Sequence, residues 1–252
     1  MQPFGFERSE EDRLVQGIDA DNRVRIFHID NTKLVRQLLA RSKQQAPLLA
    51  AALAQSFSTL CLLTGTLKDT QRLTFKIVSK ELRSRIFVDA DAEGNVRAYL
   101  SEEPAAVSEG SIRCIRASGT RQFTGITDLP YDRMDLNLEH YFRQSEQIDT
   151  CLRTRTDIRE GVCVSSEALF VQALPGAPAS LMAQLRRSLR SEESWHDHEW
   201  VSGMRRLGER PVRLQCYCSR EMLAGMAAWS SGMAGDSPSE AICRVCGRRY
   251  EV

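Results

Sequence analysis

The sequence predicts an α+β protein in three parts: a mixed sheet-and-helix body over residues 1–178, a charged helical linker over 179–211, and a small zinc-binding module over 212–252. Three observations lead there. Apolar and polar residues alternate with the period of strands from Arg72 to Leu100 and again from Ser111 to Leu174. Helical spacing marks Leu34, Val35, Leu38 and Leu39, and later the run MDLNLEHYFRQ at 134–144. Finally, four of the eight cysteines fall in the last thirty-seven residues, as one C-x-C and one C-x-x-C pair.

Taken in order, residues 1–22 read as a polar leader. RVRIFHI (23–29) reads as a strand with Val24, Ile26 and His28 on one face and Arg23, Arg25, Phe27 and Ile29 on the other. Asn31 or Thr32 can cap the helix that follows, because a short side-chain oxygen satisfies free amides of the first turn. Pro47, tolerated at a first helical position, opens a second helix that stops near Gly65. Strands follow at 72–79, 85–90 and 95–100, the last two joined by DAEGN, where Gly94 can take positive φ. Four more strands are expected at 111–118, 121–127, 148–158 and 161–174, the middle pair separated by the 134–144 helix. LPGAP (174–178) closes the body. Beyond it, Leu181, Leu185 and Leu189 form one narrow stripe, so this helix depends on docking rather than on its own burial.

Composition narrows the function classes. A formal net charge of +1 gives no long-range pull toward nucleic acid or anionic membrane. The start of the chain lacks the apolar run of a secretory signal. The longest apolar stretch, Pro47 to Leu63, is broken by Gln55, Ser56, Ser58 and Thr59 and reads as too polar to span a bilayer. The expectation is a cytoplasmic protein with no membrane or nucleic-acid partner. No G-x-x-x-x-G-K-[ST] loop is present, and neither Ser145 nor Ser165 has a His and Asp arrangement beside it, so no enzyme activity is expected.

In a reducing compartment, clustered cysteines point to metal or redox chemistry. Cys216, Cys218, Cys243 and Cys246 can supply four thiolates from two tight turns, which suits tetrahedral Zn²⁺ at one ion per chain. Gly247 suits a knuckle that turns with positive φ, and Arg220, Arg244, Arg248 and Arg249 can offset the thiolate charge. A segment of about forty residues is near the limit below which a chain needs a metal or disulfides to fold. Structural zinc contributes about 10–16 kcal/mol of apparent binding energy to such modules. The same thiolates can be oxidised to disulfides, and each one lost weakens the metal site. A static zinc knuckle and a redox sensor both remain open on chemistry alone.

Other candidates have blander readings. Cys61, Cys114, Cys151 and Cys163 lie in expected helix or strand and read as buried small hydrophobes. Cys151 and Cys163 can face one another if their strands pair, a point the sequence leaves open. His196 and His198 flank Asp197 on what reads as a solvated face, and Trp195 and Trp200 read as docking the linker. Two rival functions are a zinc-knuckle RNA binder and a thiol oxidoreductase. Against the first, residues 212–252 hold five Arg and four acidic residues, a net of only +1. Against the second, an exposed, cycling C-x-x-C commonly lies beside a βαβ pattern rather than in a zinc-dependent tail.

The cysteine tail resembles that of the redox-regulated heat-shock chaperones known as the 33-kilodalton chaperonins. The final C-x-x-C-G-x-x-Y of that family matches Cys243, Cys246, Gly247 and Tyr250. Further echoes are Thr32-x-Leu34-Val35, Pro47 with its alanine-rich helix, Lys68 and Gly94-Asn95-Val96-Arg97-x-Tyr99. Ser145-Glu146-Gln147 and Leu174-Pro175-Gly176-Ala177 complete a match in the family's order over almost the whole chain. The resemblance implies an ATP-independent holdase, inactive while reduced and zinc-bound. Oxidation would pair Cys216 with Cys218 and Cys243 with Cys246, release zinc and unfold the module and linker. A homodimer would then bind unfolding client proteins.

Overall fold

Strand β2 (Val24–Asp30) is buried on both faces, and that burial places it at the middle of a layered molecule. The structure is a computed structural model that describes residues 4, 12–21, 23–42, 46–79, 84–102, 110–191, 195, 199–231 and 240–251. The chain begins with β1 (Arg13–Asp19) and β2 (Val24–Asp30), then α1 (Thr32–Ser42) and α2 (Pro47–Leu63). An antiparallel run follows: β3 (Arg72–Ser79), β4 (Ser84–Asp91), β5 (Asn95–Glu102), β6 (Ser111–Ser118) and β7 (Arg121–Asp128). Next come α3 (Met134–Tyr141), β8 (Thr150–Arg159), β9 (Val162–Ala173), α4 (Ala179–Arg190), α5 (Glu199–Ser202), β10 (Met204–Pro211) and β11 (Arg213–Leu214).

Two sheets hold these strands. The first has the order β10-β1-β2-β9-β8 and the second β11-β5-β4-β3-β6-β7. Helix α2 lies between them, touching β8 and β9 on one side and β4 and β5 on the other. It is apolar nearly all round, and two of its hydroxyls are satisfied locally: Ser56 donates to the Ala52 carbonyl at 2.7 Å and Thr59 to that of Gln55 at 2.9 Å. Residues Pro47–Thr66 are in fact long and apolar enough to cross a membrane, contrary to the reading of this stretch as too polar. The structure uses the segment as the core helix, which is why it is apolar on every side. This layer explains β2 as well. Phe27 and Ile29 pack toward α1 and α2, while Val24 and Ile26 pack with Met182, Leu185 and Leu189 of α4.

The α+β class holds, with three differences in detail and one point, left open by the sequence, decided. Residues 13–19, expected in a polar leader, form β1. Its register slips between Gln16 and Gly17, and such a bulge breaks the alternation that would reveal a strand. A Cβ at Gly17 would lie 2.5 Å from the Phe4 ring, so the bulge admits an aromatic ring onto the strand.

The linker expected to be helical over 179–211 is helical only in part. Residues 204–211 form β10, paired antiparallel with β1 from Arg13↔Pro211 to Asp19↔Met204. MRRLGERP is too charged to announce a strand, but an edge position needs only one partner and tolerates charge. Trp195 is buried with α4, so the docking role read for it holds.

The cap of α1 also differs. The side-chain amide of Asn31 donates to Ser58 Oγ at 2.9 Å instead, and Asp30 accepts from the Thr32 amide at 3.1 Å. Lastly, Cys151 and Cys163 do not face one another: Cys151 lies opposite Val171 and Cys163 opposite Ile158, in separate core clusters. Burial raises the thiols of Cys151 to about 12 and of Cys114 and Cys163 to about 11, and pushes Cys61 up as well. All four are buried thiols of low nucleophilicity.

Candidate metal centre

After β11 the chain turns through Cys216, Tyr217 and Cys218 into α6 (Arg220–Ser231). Ser219 starts that helix, its Oγ accepting from the Met222 amide at 3.2 Å. A short antiparallel pair, β12 (Glu240–Ile242) and β13 (Arg249–Glu251), carries the second knuckle between its strands. There the Gly247 amide donates to the Cys243 carbonyl at 2.8 Å, and the Cys243 amide to the Arg248 carbonyl at 2.9 Å. Gly247 has φ +72 and open space around its Cα, so the turn's conformation, not crowding, selects glycine.

The two knuckles converge. Cys216 Sγ lies 3.6 Å from Cys243 Sγ, Cys218 Sγ lies 3.5 Å from Cys246 Sγ, and all four sulfurs fall within 4.8 Å of one another. Zn–S bonds of about 2.3 Å in a tetrahedron imply sulfur–sulfur edges of roughly 3.8 Å. The donor set and spacing therefore fit Zn²⁺. Tyr250 supports the cluster, its hydroxyl donating to the Cys218 carbonyl at 3.2 Å and lying 3.2 Å from Cys218 Sγ. Burial opposes ionisation at Cys218, but hydrogen bonds with Tyr250 and the other three cysteines outweigh it and hold the thiol at about 7. Burial raises the thiols of Cys216 and Cys246, and a dication bound there would favour their thiolate forms.

The arginines near the cysteines divide their tasks. Arg248 reaches the site through Tyr250, its guanidinium donating to the hydroxyl at 3.4 Å. Arg220 instead donates to the Glu251 carbonyl at 2.9 Å, and Arg249 pairs with Glu240 at 3.4 Å across β12 and β13. Apolar burial in the module is sparse. Among its described residues only Leu223, Cys243 and Val212 are buried hydrophobics, while Met222, Met226 and Ile242 stand exposed.

What the sequence does not announce is how the module meets the body. β11 pairs in parallel with β5, the Arg213 amide donating to the Gly94 carbonyl at 2.9 Å and that of Gln215 to Val96 at 3.0 Å. Tyr217, between the first two cysteines, donates its hydroxyl to Asp91 Oδ2 at 3.0 Å under the Arg97 guanidinium. An apolar groove of about 850 Å³ separates α6 from Phe87 and Tyr99 of the body. An aromatic residue inside C-x-C was the only available signal. His196 and His198 lie outside the described residues.

Fold and site define a class: a two-sheet α+β body carrying a C-terminal module organised by four cysteines. The Hsp33 protein family model matches residues 12–252, and the chain belongs to that family. The 33 kDa chaperonin of Desulforamulus reducens is 26% identical, with 95% of this chain and 94% of that protein covered. The 33 kDa chaperonin of Staphylococcus haemolyticus is 25% identical over the same shares. The crystal structure of the 33 kDa chaperonin from Thermotoga maritima, a heat shock protein 33 homologue, superposes with a TM-score of 0.78. It covers 96% of this chain and 95% of its own, at 18% identity, and so bears on the fold alone.

Proposed function

We propose that this chain is a redox-regulated, ATP-independent holdase, silent while reduced and zinc-bound. Membership of the Hsp33 family supports the chaperone role. The observation that carries the redox part is the convergence of four sulfurs within 4.8 Å in a module with few buried apolar residues. Zinc, when bound by Cys216, Cys218, Cys243 and Cys246, supplies the cross-links that such a module lacks. Peroxide oxidises two cysteines to one disulfide, taking two electrons and leaving as two waters. Loss of two such pairs, Cys216 with Cys218 and Cys243 with Cys246, removes every ligand and with it the module's stability. Two oxidised chains then associate and hold unfolding proteins, in the cytoplasm and without a catalytic residue.

Reduced protein should contain one zinc per chain. Peroxide with mild warming should release it and suppress aggregation of a thermally unfolding client without ATP. Unchanged client aggregation with the oxidised, zinc-free protein would sink the holdase reading. Tight, steeply salt-dependent RNA retention on filters would instead favour a nucleic-acid knuckle, and turnover of a disulfide substrate an oxidoreductase.

A further inference from the structure

A pocket of about 440 Å³ opens between α3, β8, the end of α4 and Trp195. Five arginines line it: Arg133, Arg143, Arg153, Arg155 and Arg190. Ion pairs hold two of these. Arg133 pairs with Asp135 at 2.5 Å and Arg153 with Glu139 at 2.5 Å. Arg155 stacks over the Trp195 ring at 4.3 Å and donates to the Ser191 carbonyl at 3.2 Å. The side chains of Arg143 and Arg190, both exposed, make no ion pair among the described residues. Burial lowers the Arg155 pKa, and neighbouring Arg133 lowers it further against the opposing pull of Glu167.

A second observation is independent of this charge. Arg153 is 4% exposed and Trp195 1% exposed, and both contribute to the wall. Arg153 Nη2 and Trp195 Nε1 are buried N–H donors with no acceptor among the described residues. Buried donors are nearly always paired, and a donor left alone on a charged group is more costly still. Among the described residues this wall offers those donors no acceptor, and a ligand in the pocket can supply one.

We infer that the pocket between β8 and α4 binds a small multivalent phosphate anion, with Arg143 and Arg190 as phosphate ligands and Arg153 and Trp195 as donors in the wall. Planar guanidinium groups suit phosphate oxygens, which accept paired hydrogen bonds. The space far exceeds the roughly 30 Å³ share of one water, so a chain of two or three phosphates matches it better than orthophosphate. The ligand would touch β8 of the body and α4 together, and would stabilise their docking. Nothing in this inference requires the redox switch.

The test uses reduced, zinc-loaded full-length chain at about physiological ionic strength. Tripolyphosphate should change tryptophan fluorescence saturably and raise the unfolding temperature. Trp195→Phe should remove most of the fluorescence change while binding persists by calorimetry. Arg143→Gln with Arg190→Gln, both on the surface, should weaken binding by about tenfold or more without altering the fold. ATP binding as tightly as tripolyphosphate would assign recognition to the phosphates alone; tighter ATP binding would add the nucleoside as a ligand of the same site. The inference is overturned if binding does not saturate, if the double variant binds as well as the parent, or if sulfate at matched ionic strength produces the same response.

Discussion

The Tyr217 hydroxyl is bound to Asp91 Oδ2 at 3.0 Å, joining the C-x-C turn of the cysteine cluster to the β4–β5 hairpin of the body. The residue between two of the clustered cysteines thus anchors the module through a contact that needs no metal. Tyr217→Phe should leave zinc content unchanged and weaken the junction. The pair is partly exposed, so the loss falls near the low end for a hydrogen bond, about 0.5–1 kcal/mol or two- to fivefold in opening. Hydrogen exchange at the Arg213 and Gln215 amides should accelerate by that factor. Unchanged exchange would assign the junction to the β11–β5 pairing alone.

Gly94 has φ +86, and a Cβ there would meet the Pro211 carbonyl oxygen at 2.3 Å. Gly94→Ala therefore strains the hairpin and pushes at the start of β11 together. A loss of about 1–3 kcal/mol is expected, read as a lower unfolding temperature. A variant as stable as the parent would show that this loop gives way freely.

Leu185 is buried in the outer cluster that docks α4 on the first sheet. Leu185→Ala should cost about 2–5 kcal/mol, and the loss should fall on the docked helix before the inner core. Trp195 lies in the same cluster, so its emission should shift to the red at denaturant concentrations where far-ultraviolet dichroism persists. Coincident transitions would mean that α4 and the body unfold as one unit.

Burial, then repulsion from Asp30, raises the Asp12 carboxyl to about 6, against Lys33 and the amides of Lys33 and Leu34. The folded state holds this proton more tightly than the unfolded chain, whose pKa is near 3.8. The group's contribution is thus most favourable below about pH 4 and declines as pH rises to 6. Asp12→Asn should raise stability at pH 7 and flatten the pH dependence of the unfolding temperature between 4 and 6. A steeper dependence in the variant would reverse the assignment.

The parts legible in sequence were those whose cause is local. β3 to β6 show in their period because each has one face on the helical layer. The cysteine cluster shows because each pair needs only a three- or four-residue turn, and Gly247 marks one of them. β1 and β10 did not show, since the bulge at Gln16 and Gly17 breaks one pattern and edge charges mask the other. Tyr217 and Asp91 stand 126 residues apart, and no periodicity reports such a contact. The arginine pocket was illegible for the same reason: its walls come from α3, β8 and α4, each ordinary when read alone.

One residue, Val212, separates β10 in the first sheet from β11 in the second. Fully stretched, one residue spans at most about 3.3–3.6 Å. The join between body and module is therefore a seam without slack, not a tether. Any displacement of the module beyond that length has to unpick β11 from β5 or pull at β10, the edge strand of the first sheet, and with it β1.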